Sequence, residues 1–225
     1  MNTTTTTTTP KPTPADLRTP EIINAALRVL ALKAAAQVKR EQVDAIGAEL
    51  LQAHPLTDSR TGEALTVKDA WRAYGPEWHA WNAACAAEQV RRGVKPADMP
   101  AENCPALTLE HEQSKAENAL ADLSGAPFGV SAHKLIASRD GHNTYRQWLE
   151  LVTQAALTGP TRRLSLRITT ERGDVFPVDF NGTPAEAARH YLGREYVAHE
   201  CDETGRETRD RFASVEVVGA EGGAL

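Results

Sequence analysis

Aromatic side chains are scarce in this chain, 12 of 225 residues or 5%. Leu, Val, Ile and Phe together number 43, a fraction that would suggest disorder if the net charge were large. The formal net charge is only −5, and alanine contributes 36 residues, so a folded, alanine-rich helical chain with a lean core is expected. No run of 18 apolar residues occurs, which argues against a membrane-spanning helix. A threonine tract, Thr3 to Thr9, stands where a secretory leader would need an apolar segment. Cysteines are few, odd in number and far apart (Cys85, Cys104, Cys201), so reduced thiols in the cytoplasm are expected.

An excess of positive charge is also missing. Up to Pro160 the chain has 16 basic and 18 acidic residues, and after it 9 and 12. Neither part has the basic footprint of a nucleic-acid-binding domain. Two local patches remain, Arg91 and Arg92 with Lys95, and Arg162 and Arg163 with Arg167. Each reads either as a phosphate-binding patch or as a solvated face.

Catalytic motifs are absent too. There is no Gly-rich phosphate loop, no Gly-x-Ser-x-Gly elbow and no Cys-x-x-Cys pair. His111-Glu112 lacks the second histidine one turn later that would put two metal ligands on one helical face. His199-Glu200-Cys201-Asp202 sits at a strand end, where alternate residues point to opposite faces, so at most two of the four act together. Cys104 precedes Pro105 at a helix start, a setting that suits a reactive thiol or simply a small apolar cap. No catalytic residue, metal ligand or cofactor is therefore assigned.

What is present is mostly helix. Residues 1–18 form a Thr/Pro-rich tail, read as disordered. Thr19 as N-cap, Pro20 in the first helical position and Glu21 against the dipole open a long helix that Pro55 ends near His54. Its apolar residues, from Ile23 through Val38 to Leu50, form a drifting stripe. Alanines at 31, 34, 35 and 36 would let a partner helix approach closely, so self-association through this helix is expected. Asp58 to Gly62 reads as a turn, Thr66 to Asp69 as a weak capping box, and Pro76 to about Arg92 as a helix closed by Gly93. Further helices are expected from Pro105 to Gly125, over Ser131 to Ser138, and from Thr144 to Leu157. Thr158-Gly159-Pro160 reads as a domain boundary, giving a helical domain over 19–158.

Beyond it the period changes from helical to alternating. Leu164, Leu166 and Ile168 face one way, and Val175 to Phe180 follows as a strand that Pro177 confines to an edge. Thr183-Pro184-Ala185-Glu186 combines an N-cap, a first-position proline and a capping-box glutamate. Two more strands, Glu195 to His199 and Arg211 to Val218, complete a small ββαββ domain over 161–219, before a flexible C-terminus at 220–225. The fold class is α+β.

Trp71, Tyr74, Trp78 and Trp81 fall within 11 residues of a chain otherwise poor in rings. Exposed, they make a protein hot spot or a platform for single-stranded nucleic acid. Buried, they fill a core otherwise made of alanine. Both readings stand at this point.

Three stretches carry a resemblance. They are Thr19-Pro20-Glu21-Ile22 with Arg40-Glu41-x-Val43-Asp44, then Cys104-Pro105-Ala106-Leu107 with Glu110 and Ala116 to Leu120, and Thr183-Pro184 to Tyr191-Leu192-Gly193. The first two resemble proteins without assigned activity encoded by bacteriophages and by integrative or conjugative elements, the third resembles small β-rich modules of plasmid and phage proteins, and together they cover about half the chain. The resemblance implies a mobile-element protein tied to DNA metabolism or to evading host defence, and it supplies no site residues. The expected function is a non-enzymatic adaptor working through protein contacts. The alternative is nucleic-acid binding in recombination or replication, and the third reading is a cryptic enzyme.

Overall fold

A computed structural model describes residues 16–58, 60–73, 75–100, 103–125, 141–201 and 207–220, excluding the side chains of 141–144, 198–201, 207 and 208. The expected helix over Ser131 to Ser138, the turn at Arg139, Tyr74, the link around Gly205 and the first 15 residues lie outside this set.

The helices are α1 (Pro20–Ala53), α2 (Val67–Ala70), α3 (Pro76–Arg91), α4 (Pro105–Gly125) and α5 (Gly141–Leu157). Strands β1 (Arg162–Thr170) and β2 (Val175–Gly182), helix α6 (Pro184–Tyr191), and strands β3 (Glu195–Cys201) and β4 (Glu207–Ala220) follow. The architecture is α+β, helices with a four-stranded antiparallel sheet in the order β2-β1-β4-β3. Among the described residues no helix is long and apolar enough to cross a membrane.

The chain divides into two compact units, but not at Gly159. One comprises residues up to Leu32 and from Glu112 onward; the other is Lys33–His111. The boundaries thus fall inside α1 and inside α4, and the change at 158–160 is one of secondary structure rather than of core.

The reason is visible in the first unit. Leu164, Leu166 and Ile168 are buried on one face of β1, in register with Phe180, Val178 and Phe176 of β2. Val217 and Val215 of β4 extend that apolar face on the other side. A sheet with one apolar face needs a cover. Ile22, Ile23, Ala26 and Leu27 of α1 share this core, with Ala116 and Leu120 of α4, Val152 and Ala156 of α5, and Ala187 and Ala188 of α6. The beginning of α1 therefore belongs with the sheet, more than 130 residues away in sequence.

Polar contacts fix this packing. Strand β3 pairs with β4 only as far as Arg211. Beyond it, Asn24 of α1 acts as a substitute strand: its amide N–H donates to Val217 O at 3.0 Å, and its Oδ1 accepts from Val217 N–H at 2.8 Å. Arg18 donates to the carbonyls of Ala155 and Thr158, capping the end of α5. Tyr145 of α5 donates to Asn118 of α4 at 2.7 Å, and burial pushes its phenol up to about 12. Asp210 accepts from the backbone N–H groups of Arg172 and Arg211 and so ties the β1–β2 turn to β4. Burial pushes its pKa up, but these bonds and one with Thr170 outweigh it and hold the carboxylate below its ordinary value.

The sheet is strongly curled. Strands β2 and β3 are its opposite edges, which in a flat sheet would lie about 14 Å apart. Yet the rings of Phe176 on β2 and Tyr196 on β3 are 5.2 Å apart. Phe212 and Tyr191 continue the contact to Phe180 and His190, a run of half-buried rings and one exposed imidazole. A Cβ at Gly182 would lie 2.6 Å from the Phe180 ring and 2.8 Å from the Glu186 carboxylate, so any larger residue there forces both side chains to shift.

Candidate functional site

The aromatic cluster lies in the second unit and splits by residue. Trp81 and Cys85, one turn apart on α3, are buried with Leu51, Leu56 and Ala70. Trp81 is therefore core, not part of a partner-binding surface. Burial pushes the Cys85 thiol up to about 12. Trp71 and Trp78 are only half-buried.

Gly47, in the middle of α1, makes room for them. A Cβ there would stand 3.3 Å from the Trp71 ring and 3.4 Å from that of Trp81, and the two indoles meet at 4.7 Å. The Trp71 indole N–H donates to Asp44 Oδ1 at 3.2 Å, and that of Trp78 to Ala70 O at 2.6 Å. Both rings are thus held in place by polar contacts while part of each faces outward. The Trp81 indole N–H is buried without an acceptor among the described residues.

Trp71 and Trp78 form walls of a groove of ≈ 780 Å³. Arg40, Val43 and Asp44 of α1 line it, as do Val67, Lys68 and Arg72 in and just after α2. From α3 come Trp78, Asn82, Ala86 and Gln89, steps of four, four and three residues that put them on one helical face. Asn103, Cys104, Ala106 and Leu107 complete it where α4 begins. Leu107 is 56% exposed, the most exposed of the large apolar residues described. Volume, aromatic walls and a few polar groups match the general character of binding pockets.

The expected basic patches look different in three dimensions. Arg91 pairs with Glu88, and Arg92 with both Glu88 and Glu49, at 2.5 to 2.6 Å. The Arg91 and Arg92 guanidiniums pull the Glu88 carboxyl down to about 2. Lys95 is 3% exposed, donates to the Asn103 carbonyl at 2.8 Å, and cannot serve as a surface phosphate contact. Arg163 pairs with Asp179 and Arg167 with Glu216, while Arg162 is half-buried at the start of β1. Four of the six cations thus have carboxylate partners: Glu88 is local to Arg91 and Arg92, while Glu49, Asp179 and Glu216 are 16 to 49 residues from theirs and escape sequence spacing.

The groove combines Trp71 and Trp78 with residues that sequence reasoning did not single out, chiefly Gln89, Lys68, Arg72 and Leu107. The period of α3 was a usable signal for Asn82 and Gln89; nothing local marked Lys68 or Leu107. Compared with known protein families, curated proteins and solved structures, the chain matches none.

Proposed function

We propose that the protein is a non-enzymatic accessory or adaptor protein that works through protein contacts, with the groove of the 33–111 unit as its docking surface. The observation that carries this is the groove itself, where two half-buried indoles and an exposed leucine line one concavity. Aromatic anchors in a partly enclosed pocket are the usual centre of a protein-binding hot spot. The resemblance to proteins of bacteriophages and integrative or conjugative elements supports placing it in a mobile element, acting in the bacterial cytoplasm and against host defence. On this reading the β1–β2–α6–β3–β4 run is a ββαββ arrangement, and α1 is a surface for self-association.

The alternative, nucleic-acid binding, draws on six cations of which four have carboxylate partners and one is buried. The two readings separate in an affinity capture from host lysate, run with and without nuclease, comparing the wild-type chain with Leu107→Glu. The adaptor reading expects a discrete partner that survives nuclease and is lost with Leu107→Glu. Capture abolished by nuclease, with an affinity that falls steeply as salt rises, would move the assignment to nucleic acid.

A further inference from the structure

We propose that the groove takes an acidic peptide segment, its apolar anchor against Trp71, Trp78 and Leu107 and its carboxylates toward Lys68 and Arg72. This rests on the docking reading above and adds the chemistry of the partner.

The groove lining is more positive than the chain as a whole. On a chain of net charge −5, the groove lining carries three cations, Arg40, Lys68 and Arg72, against one carboxylate, Asp44. Arg40 is engaged by Glu110, and Asp44 accepts from the Trp71 indole. Lys68 and Arg72, both exposed, have no carboxylate partner among the described residues. They are spaced i, i+4 and so fall on the same side of their turn.

Gln89 points to a peptide backbone. It is 5% exposed and lines the groove, and its carboxamide carries both a donor and an acceptor. A ligand that offers both an acceptor and an N–H matches such an amide. A peptide backbone offers both. Asn82, two turns earlier on the same face, presents a second carboxamide to the same groove.

The start of α4 adds to the charge of the groove. This helix of 21 residues begins at the groove, with Cys104, Ala106 and Leu107 in the lining. The amino end of a helix favours negative charge. Here it adds to the pull of Lys68 and Arg72 on a carboxylate. Two such cations and a helix end suit one or two carboxylates; a polyanionic backbone needs a longer track.

The test uses the full chain as bait against a displayed library of random twelve-residue linear peptides. The expected winners combine an aromatic residue or leucine with two or more Asp or Glu. A synthetic winner, titrated by calorimetry, should bind at least tenfold more weakly to the Lys68→Glu/Arg72→Glu double variant, at unchanged melting temperature. Gln89→Leu should weaken it in the same direction. Winners that are neutral or basic, yet lost with Leu107→Glu, would overturn the acidic assignment and leave the docking reading standing. No enriched sequence, or winners indifferent to Leu107→Glu, would overturn both.

Discussion

At the scale of single residues, position in three dimensions separates side chains that look alike in sequence. Trp78 and Trp81 are three residues apart on one helix. One walls the groove, while the other is packed beside Cys85 and Ala70. Asn24 shows the converse, a polar residue in a helix whose importance no local pattern announces. Its side chain satisfies both the N–H and the C=O of Val217, on the side of β4 away from β1, which β3 does not reach. Asn24→Ala leaves both groups unpaired and is expected to cost about 2 kcal/mol, at about 1 kcal/mol for each net hydrogen bond. Chemical denaturation with an unchanged slope is the measurement, and a loss below about 0.5 kcal/mol would show that water replaces the amide without penalty.

At the scale of elements, α3 is tied to α1 through charge as well as packing. Arg92 bridges Glu88 on its own helix and Glu49 on α1. Because the folded Glu88 carboxyl is depressed to about 2 by Arg91 and Arg92, its contribution is complete above the ordinary carboxylate range. It is lost as pH falls from about 4.5 toward 2. Glu88→Gln should therefore lower the melting temperature at pH 7 and narrow its gap from wild type as the pH approaches 2. An undiminished gap at pH 2 would mean that the residue acts by packing alone. Element starts were the most legible feature of the sequence. The capping box at the start of α6 forms as its residues suggest, Thr183 N–H to Glu186 and Glu186 N–H to Thr183, because such signals act within one turn. Pro177 likewise lies on an edge strand, where its missing N–H costs no ladder bond.

At the scale of the whole chain, the covering of the sheet could not be read from local pattern. The apolar face of β1 was plain from Leu164, Leu166 and Ile168, but nothing in those residues named Ile23 and Leu27 as part of its cover. The pairs Arg92–Glu49, Arg163–Asp179 and Arg167–Glu216 and the ring contacts of Phe176, Phe212 and Tyr196 were hidden for the same reason: the partners are distant in sequence. A fragment of residues 161–220 contains the four described strands and α6 but none of α1, α4 or α5, so it is expected not to fold alone. Its amide spectrum should lack dispersion, whereas a dispersed, cooperatively melting fragment would show that the sheet needs no cover.

The groove is the centre of the functional account, and two matched substitutions test it most directly. Leu107 and Val175 are both exposed apolar residues, 56% and 53%, but only Leu107 lines the groove, while Val175 begins β2. Each is replaced by glutamate, and binding of the nuclease-resistant partner is titrated by calorimetry alongside thermal melting. The account predicts that both variants melt like the wild type, that Leu107→Glu binds at least tenfold more weakly, and that Val175→Glu binds normally. Wild-type affinity for Leu107→Glu, or an equal loss in both variants, would contradict it.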